Sequence, residues 1–380
     1  MNSCDVCIRG GGAVGLALAL SLARQGLAVG VVGAPAVADA AAVPARPDVR
    51  AYALNDRSRR LLTTLKVWDA LPPDAVTPVD DMRVHGDAAD AAGARGAIAF
   101  SAWQQGAEAL AWIVDAAALE QALATAARFA PHLAFLDAAP AGVPLTVLAE
   151  GKASASREAL GVRFERHPYG ITALAARLVA SQPHQGVARQ WFRSPDVLAL
   201  LPFDRPQPGA SYGLVWSLPT AQAEHWLAAE PAAFEQALNE ATGGAAGSLT
   251  LASERAAWPL MLGRAERLCG DGWALVGDAA HVVHPLAGQG LNLGLADVAA
   301  LAEVIAQREP WRALGDATLL RRYERQRAGP NAAMALVTDG LHHLFAQDQP
   351  VLRELRNRGM TLLDRLAPIK RLLTQQALDR

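Results

Sequence analysis

A glycine-rich turn between a short apolar strand and an apolar helix constrains the fold of this chain most strongly. Residues 4–9 predict the strand, residues 10–15 the turn, and residues 16–24 the helix. The turn matches G-x-G-x-x-G: Gly10 permits a tight turn, Gly12 lets backbone approach a pyrophosphate, and Gly15 lets the helix pack on the strand. The pattern predicts a dinucleotide whose phosphates lie at the helix N-terminus.

A second apolar strand at residues 28–32 completes a β-turn-α-β unit, which opens a doubly wound α/β domain. In such units an acidic residue beyond the second strand binds the ribose hydroxyls. Here Gly33 follows the strand, and the nearest acidic residue is Asp39, in a loop rich in alanine and proline. Either Asp39, a backbone group or water takes this role, or nucleotide binding is weakened.

The composition of the chain argues against several classes of protein. With 35 basic and 37 acidic side chains among 380 residues, the chain has no overall attraction to nucleic acid. Three cysteines are too few for a disulfide framework and fit a reducing cytosol. Asp5 and Arg9 flank and interrupt the first apolar run, which argues against a signal peptide. No uncharged apolar run reaches about 18 residues, so we expect no membrane-spanning helix.

The middle of the chain has short alternating apolar runs bounded by proline and glycine, the pattern of antiparallel strands. These runs occur at about 82–100 and 170–258, for example at 197–201 and 212–216. Residues 221–238 predict helix beside this sheet, interrupted at Pro231, and residues 273–276 predict another strand. The last fifty residues predict helices. We therefore expect an α/β fold with an inserted antiparallel-sheet domain and a helical C-terminal region.

The segment 276–295 places Asp278, His281 and His284 before a glycine-rich turn, which suggests a metal site, an acid–base pair or a cofactor turn. Pro285 biases His284 towards an extended conformation. Because residues i and i+3 of an extended chain point to opposite faces, the metal site is disfavoured. We expect the two histidines to order the loop.

The same segment continues into a second glycine turn, Gly288-Gln289-Gly290, before a helix that starts near Leu291. This second helix N-terminus has unpaired N–H donors and a positive dipole end. Two such turns, one near each end of the chain, suggest a large two-ended cofactor such as FAD.

Two further segments have a plain structural interpretation beside a functional one. Arg50 follows the loop expected to cover the nucleotide, so its guanidinium is placed to meet phosphate, but it also leads into a helix capped by Asn55. Glu150, Gly151 and Arg157 follow an apolar strand at 145–148. From the residues alone they form a strand end, a turn and a surface arginine.

Taken together, these motifs resemble the class A flavoprotein aromatic hydroxylases, and within them the FAD-dependent hydroxylases of ubiquinone biosynthesis. The resemblance covers nearly the whole chain. Its most specific part is Gly277-Asp278-Ala279-Ala280-His281-x-x-His284-Pro285-x-Ala287-Gly288-Gln289-Gly290-x-Asn292-Leu293-Gly294. The tail segments Arg322-Tyr323-Glu324-Arg325, Thr338-Asp339-Gly340-Leu341 and Leu363-Asp364-Arg365-Leu366 are similar to the ubiquinone branch. Two departures from the family pattern concern the cofactor: Glu150 replaces the usual aspartate, and Gly33 the usual acid.

The resemblance implies a Rossmann-like FAD-binding domain and assigns cofactor contacts to particular residues. The first glycine turn would hold the adenylate pyrophosphate, Arg50 would lie near the pyrophosphate or flavin, and Asp278 near the ribityl or pyrophosphate portion. The second turn would lie against the flavin pyrimidine. The implied FAD contacts are Gly10, Gly12, Ala13, Val14, Gly15, Arg50, Val114, Gly277, Asp278, Gly288, Gln289, Gly290, Leu291 and Asn292. Candidates for transient contact with NAD(P)H are Glu150, Gly151 and Arg157.

The resemblance also implies a division into domains. The FAD-binding domain would comprise residues 1–81, 101–168 and 259–330, the substrate domain residues 82–100 and 169–258, and the C-terminal helices residues 331–380.

The implied activity is hydroxylation of the aromatic ring of a polyprenylated phenol, with O2 and NAD(P)H, through a flavin hydroperoxide. The cofactor carries this chemistry, so we assign no catalytic side chain and no metal. Amides near Gly290 and Leu291 would stabilise negative charge on the reduced flavin. We expect a cytoplasmic protein whose C-terminal region, with leucines set among basic residues, either contacts the inner face of the membrane or a ubiquinone-synthesis complex, or packs on its own domain.

Two alternatives remain open at this point. One is a related hydroxylase of a small soluble aromatic compound. The other is a flavoprotein-like scaffold of a quinone-synthesis complex whose cofactor binding has decayed, which Gly33 and Glu150 support.

Overall fold

The computed structural model describes residues 4–33, 48–86, 97–193, 195–283 and 289–329. The strands, in chain order, are β1 Val6–Arg9, β2 Val29–Val32, β3 Ala51–Leu54, β4 Val76–Val79, β5 Asp81–His85, β6 Ala97–Ser101, β7 Ala111–Asp115, β8 Leu133–Leu136, β9 Leu145–Leu148, β10 Phe164–Ala180, β11 Val187–Arg193, β12 Asp196–Phe203, β13 Ser211–Pro219, β14 Leu249–Leu251, β15 Ala256–Ala265, β16 Cys269–Gly270, β17 Trp273–Leu275 and β18 His281–Val282. The helices are α1 Ala13–Ala23, α2 Asp56–Thr64, α3 Ala116–Phe129, α4 Ala155–Ala159, α5 Thr220–Ala228, α6 Pro231–Thr242, α7 Gln289–Ala306 and α8 at 317–329.

A largely parallel sheet carries the N-terminal motif, in the strand order β16-β17-β9-β1-β2-β8. The strands β17, β9, β1, β2 and β8 run parallel, and β16 pairs antiparallel with β17 at one edge. Helices α1, α3 and α7 pack against it through one apolar core, in which Ile8, Leu16, Leu123 and Leu301 are almost fully buried. The predicted α/β class is confirmed.

Helix α1 begins at Ala13, three residues before the predicted start. The N-cap residue Gly12 is extended, and the first helical turn consists of Ala13, Val14 and Gly15. Because Gly15 belongs to the glycine-rich motif, the sequence placed this turn in the loop. Its backbone is helical, and the missing side chain lets the helix pack closely on the backbone of Gly10.

A second, mixed sheet contains the predicted alternating segments, in the order β18-β15-β10-β13-β12-β11-β5-β6, with β14 also paired to β10. Most neighbours are antiparallel, and β11 and β5 are parallel. Helices α5 and α6 cover one face of this sheet, and α6 begins at Pro231, as the sequence predicted. The sheet also includes the start of β10 and all of β18, which lie in ranges predicted for the FAD-binding domain. The division into domains stays a prediction.

A small antiparallel sheet, β3-β7-β4, lies between the two larger sheets. Ile113 and Val79 of this sheet pack with Phe203 and Ala188 of the mixed sheet. Tyr52 of β3 packs against the core of the parallel sheet. The small sheet thus connects the dinucleotide-type half of the fold to the antiparallel half.

Helix α8 packs beside β17 of the parallel sheet. There the buried hydroxyl of Tyr323 donates a hydrogen bond to the carbonyl of Leu275 (2.7 Å). Across the described residues, the helices all fall short of the length and apolarity that a bilayer crossing needs. The predicted loop at 34–47 and the predicted helices after residue 330 lie outside the described residues.

Candidate cofactor-binding site

The carboxyl ends of three neighbouring parallel strands bring the predicted cofactor segments together. Arg9 at the end of β1 is in register with Leu148 of β9, which is in register with Leu275 of β17. Gly10, Ala149 and Val276 follow these three residues. In open α/β sheets, ligands bind in the crevice outside the carboxyl ends of the strands. The first glycine turn, the Glu150 segment and the Gly277 segment therefore border one crevice.

The first glycine turn has the conformations that a close approach to phosphate requires. Gly10 has φ +117°, and a Cβ there would overlap with the carbonyl of Ala149. A Cβ on Gly15 would overlap with the carbonyl oxygen of Gly10. At Gly12, in contrast, a Cβ would meet nothing within 4 Å, so this backbone faces open space.

The N-terminus of α1 offers backbone donors to that open space. Among the described residues no side chain caps this helix, and its first turn contains no acidic residue. The first N–H groups of a helix lack intrahelical partners and form the positive end of its dipole. A pyrophosphate fits here by charge and by space.

Val14 joins the first glycine turn to the second half of the site. Its Cγ1 lies 3.2 Å from the position that a Cβ on Gly277 would take, and its Cγ2 lies 2.6 Å from the same position on Gly294. Gly277 also has φ +61°. Larger residues at these two positions would push the end of β17 and the start of α7 away from α1.

Asp278 lies in the short helical turn Gly277–Ala279, with its side chain exposed to solvent at the crevice. Desolvation by surrounding protein raises the pKa of this carboxyl above the usual aspartate value, although His281 and Lys152 act in the opposite direction. Because the side chain is accessible, its carboxylate can accept hydrogen bonds from the hydroxyl groups of a ligand.

A fully buried carboxylate, Asp297 of α7, holds the second half of the site in place. Its Oδ2 accepts the N–H of Gly277 (2.9 Å) and lies 2.6 Å from Nε2 of His281, and its Oδ1 accepts Nε of Arg327 (2.7 Å). The side chain of Asp297 has no exposed surface. Through this one residue, the end of β17, the strand β18, helix α7 and helix α8 are fixed to each other.

The charges of this cluster stabilise one another. Burial alone would lower the pKa of His281, but the charge and the hydrogen bond of Asp297 outweigh it and raise that pKa. Burial alone would raise the pKa of Asp297, but His281 and Arg327 outweigh it and lower that pKa. His281 is thus paired with a buried carboxylate, and its role in ordering this loop stays a prediction.

The other histidine of this segment, His284, lies outside the described residues, as does Gly288. Within the described ranges, no group of three or more side chains that could hold a metal ion is found.

The start of α7 is anchored to the small sheet. Oδ1 of Asn292 accepts the N–H of Asn55 (3.1 Å) and the hydroxyl of Ser58 (2.7 Å), and its Nδ2 donates to the carbonyl of Ala53 (2.8 Å). The buried Asn292 side chain therefore positions the helix, and a contact with cofactor would use its backbone. Helix α7 begins at Gln289, and a Cβ on Gly290 would meet nothing within 4 Å among the described residues. Leu291 packs against the core.

Arg50 binds carboxylates of its own chain. Its Nη2 lies 2.7 Å from Oδ2 of Asp48 and 3.1 Å from Oε1 of Glu120. The hydrogen bond to Asp48 raises the pKa of this guanidinium, against the effect of burial. With about two fifths of the side chain exposed (42%), a phosphate contact would add to these pairs. Val114 is buried within β7, between Tyr52 and Val76.

The NAD(P)H candidates have internal partners. Glu150 accepts the hydroxyls of Ser154 (2.6 Å) and Ser156 (2.7 Å) and pairs with Arg9 (3.1 Å). These partners lower the pKa of Glu150, although burial acts to raise it. The longer glutamate thus closes the turn before α4.

Arg157 is fully buried rather than on the surface, where its isolated sequence had placed it. Its Nη1 donates to the carbonyl of Ala279 (2.9 Å), and its guanidinium stacks on Phe164 at 3.9 Å. Gly151 has φ +75° and open space at its Cα. Of the three candidates, Gly151 is the one whose backbone is open to a ligand.

Gly33 also has a structural reason to replace the usual acid. Its φ is +77°, a conformation that strains an aspartate, and its carbonyl accepts the N–H of Gly11 (3.1 Å). Asp39, the other candidate for the ribose, lies outside the described residues.

Asp297 and Arg327 are the site residues that the sequence-based interpretation missed. Asp297 stands as a single acid in the apolar run Leu293–Leu301 of α7, and such a residue signals a buried, paired charge. Arg327 lies among several arginines and glutamates and carries no such signal.

Comparison with known proteins agrees with this geometry. Residues 144–338 match the family model described as FAD binding domain. Over 98% of its length, the chain is 33% identical to the ubiquinone hydroxylase UbiL of Rhodospirillum rubrum, of which it covers 89%. It is 29% identical to the 3-demethoxyubiquinol 3-hydroxylase of Escherichia coli, over 98% of both chains.

A solved structure shows the same fold. PqsL of Pseudomonas aeruginosa, described as a probable FAD-dependent monooxygenase, superposes with a TM-score of 0.73 at 22% identity. The alignment covers 94% of this chain and 99% of that protein.

Substitution of two glycines separates the folding role of the first turn from its binding role. We expect Gly12→Ala to leave the free energy of unfolding of the FAD-free protein almost unchanged but to weaken FAD binding at least about tenfold, because the new methyl group occupies the space for the pyrophosphate. Gly15→Ala should destabilise the FAD-free protein itself, because its methyl group overlaps with backbone. Thermal unfolding and quenching of flavin fluorescence measure the two effects. Wild-type FAD affinity in Gly12→Ala would contradict this assignment.

The buried His281–Asp297 pair predicts a pH-dependent stability. Because folding raises the pKa of His281, its contribution is complete below about pH 6.5, the ordinary histidine value, and is lost as the pH rises through the raised pKa. Because folding lowers the pKa of Asp297, the stability that its carboxylate contributes is lost only when the pH falls below the ordinary aspartate range. Wild type should therefore exceed His281→Asn in free energy of unfolding most clearly between about pH 4 and 6.5.

Denaturant unfolding across pH measures this difference, with the exposed His132 changed to Asn as the control. The two proteins differ in free energy of unfolding, and the ion pair requires this difference to be larger at pH 5.5 than at pH 9. If the difference is the same at both pH values to within about 0.5 kcal/mol, the ion pair is excluded.

Proposed function

Because this chain belongs to the FAD-binding family of flavoprotein hydroxylases that includes the ubiquinone hydroxylases, we propose that it hydroxylates the aromatic ring of a polyprenylated phenol in ubiquinone biosynthesis. It is an FAD-dependent monooxygenase. We further propose O2 and NAD(P)H as its co-substrates.

The observation that carries the proposal is the position of the cofactor crevice beside the mixed sheet. Asn292, at the start of α7, is hydrogen-bonded to Ala53 of β3. The neighbouring Ala51 approaches Gly213 of the mixed sheet, whose Cβ position would lie 3.6 Å from the Cβ of Ala51. A ring held on this face of the sheet would therefore lie next to the flavin end of the crevice.

In this proposal, the residues of the chain bind and orient FAD. Amides after Gly12 hold the pyrophosphate. Asp278 lies at the ribityl or pyrophosphate portion and accepts hydrogen bonds from the ribityl hydroxyls. The first amides of α7, near Gly290 and Leu291, face the flavin pyrimidine and favour negative charge there. When bound, FAD would carry electrons from NAD(P)H to dioxygen and transfer one oxygen atom to the ring.

The remaining task of the protein is to position an apolar substrate and exclude water. The apolar residues on the face of the mixed sheet that carries Gly213 suit this task. The same substrate class suggests contact with a membrane or with other enzymes of quinone synthesis. We propose the C-terminal region, where leucines are set among basic residues such as Arg365, Lys370 and Arg371, for this contact at the inner face of the membrane. That region lies outside the described residues.

The proposal predicts that the purified, FAD-loaded protein consumes NADH or NADPH faster when a prenylated phenol is added. The product should carry one additional oxygen atom, derived from isotopically labelled dioxygen and detected by mass spectrometry. A deletion strain should accumulate the unhydroxylated prenylphenol, whose structure would identify the ring carbon attacked.

The outcomes distinguish the alternatives. Protein that stays colourless after incubation with FAD would favour the scaffold role. Hydroxylation of small soluble phenols, with no reaction of a prenylated phenol, would favour a hydroxylase of soluble aromatics. Protein denatured before FAD is added is the control for both measurements.

A further inference from the structure

The mixed sheet has one face covered by helices and one face turned towards the cofactor side. Even-numbered residues of β10, β12 and β13, such as Leu174, Leu198 and Leu214, pack with Phe234 and Leu238 of α6. Because successive side chains of a strand alternate between faces, the odd-numbered residues lie on the opposite face. Gly213, which approaches Ala51 of the small sheet, is on that opposite face.

A row of uncharged side chains crosses this opposite face from the centre of the sheet to its edge. In register, Val215 of β13 pairs with Ala199 of β12, Ala199 with Gln190 of β11, Gln190 with Val84 of β5, and Val84 with Ile98 of β6. Four steps between strands give the row a length of about 19 Å.

Val197 of β12 lies on the same face and packs with Val84. We call Val215, Ala199, Val84, Ile98 and Val197 the apolar strip. The strip lacks any charged side chain.

The strip is partly open to solvent. Val215, Ala199, Val197 and Ile98 are half-buried, whereas the leucines on the helix-covered face are almost completely buried. Within the row, Val84 is buried, and the buried polar side chain of Gln190 lies between Ala199 and Val84. Partly exposed aliphatic side chains grouped on one face of a sheet suit a surface that binds an apolar ligand.

The strip begins beside the cofactor crevice and ends where the sheet ends. At its inner end, the adjacent row contains Arg177, Gly213 and Leu201. The buried guanidinium of Arg177 is paired with Asp115, and Leu201 packs in the cluster that includes Ala51 and Ala53. Ala53 is the residue to which the start of α7 is hydrogen-bonded. At its outer end, β6 is the outermost strand of the sheet among the described residues. A long chain that starts at the flavin end can therefore leave at this edge.

We propose that the apolar strip binds the isoprenoid tail of the substrate, with the phenol ring at the Val215 end and the tail leaving past Ile98. This inference rests on the proposed function, because it takes the substrate class from it. The small side chain of Ala199 leaves depth for a flexible chain, and the branched side chains of Val84, Val197 and Ile98 supply apolar contact. A small soluble phenol would occupy the inner end alone and would gain nothing from the outer residues.

The test compares two phenols that differ only in the tail, one with a farnesyl chain and one with a methyl group in its place. The variant Ile98→Glu puts a charge at the outer end of the strip. The control Ala97→Glu puts the same charge on the same strand but on its exposed, opposite face. Val197→Thr, which is nearly isosteric, is the second variant in case a charge at residue 98 disturbs the sheet. Equilibrium binding and kcat/KM are measured on FAD-loaded protein, with FAD affinity and thermal unfolding as checks.

We expect Ile98→Glu to weaken binding of the farnesylated phenol, and to lower its kcat/KM, by at least about tenfold, because the tail loses apolar contact. Val197→Thr should produce a smaller loss in the same direction. The methyl phenol, the FAD affinity and the Ala97→Glu control should stay at wild-type values.

Two results would overturn the inference and can be told apart. If wild type prefers the farnesylated phenol but neither variant at residues 98 and 197 changes that preference, the tail binds elsewhere and the proposed function stands. If wild type neither binds nor hydroxylates any prenylated phenol, the proposed function fails and the strip assignment fails with it.

Discussion

The buried carboxylate of Asp297 is the interaction on which the cofactor site depends. It binds the N–H of Gly277, His281 and Arg327 at the same time and has no contact with solvent. Buried ion pairs add little net stability, because desolvation offsets their attraction, but breaking one leaves a charge without compensation and costs about 3–5 kcal/mol. Asp297 therefore contributes mainly geometry: it permits one arrangement of the end of β17 relative to α7 and α8.

A chain of contacts links this arrangement to the mixed sheet, where we place the substrate. With Gly277 fixed, Val14 can pack against it and against Gly294, so the first glycine turn, the end of β17 and the start of α7 lie side by side. With α7 fixed, Asn292 reaches the end of β3, and β3 in turn packs on the mixed sheet. The face on which we place the substrate is thus positioned by contacts that start at a residue with no chemical role of its own.

Features that depend on a few neighbouring residues could be predicted from the sequence. The glycine turn, the strands at 197–201 and 212–216 and the helix break at Pro231 are of this kind. Contacts between distant segments could not be predicted. Asp297 and Arg327 are 30 residues apart, and nothing local shows that they meet. Arg50 and Arg157 have the charge expected for binding phosphate, and Glu150 was a candidate for contact with NAD(P)H. The carboxylates, hydroxyls and carbonyls that engage these three side chains come together only in the fold.

The most direct test of this account is the FAD affinity of Asp297→Asn, with Glu303→Gln, an exposed acid-to-amide change on the same helix, as the control. The amide retains the shape of the side chain but not the charge that pairs with His281 and Arg327. The account predicts that Asp297→Asn, under conditions in which it remains folded, binds FAD at least about tenfold more weakly than wild type, while Glu303→Gln binds normally. A folded Asp297→Asn protein with wild-type FAD affinity would show that Gly277 and α7 are held by other contacts and would contradict the central role of Asp297.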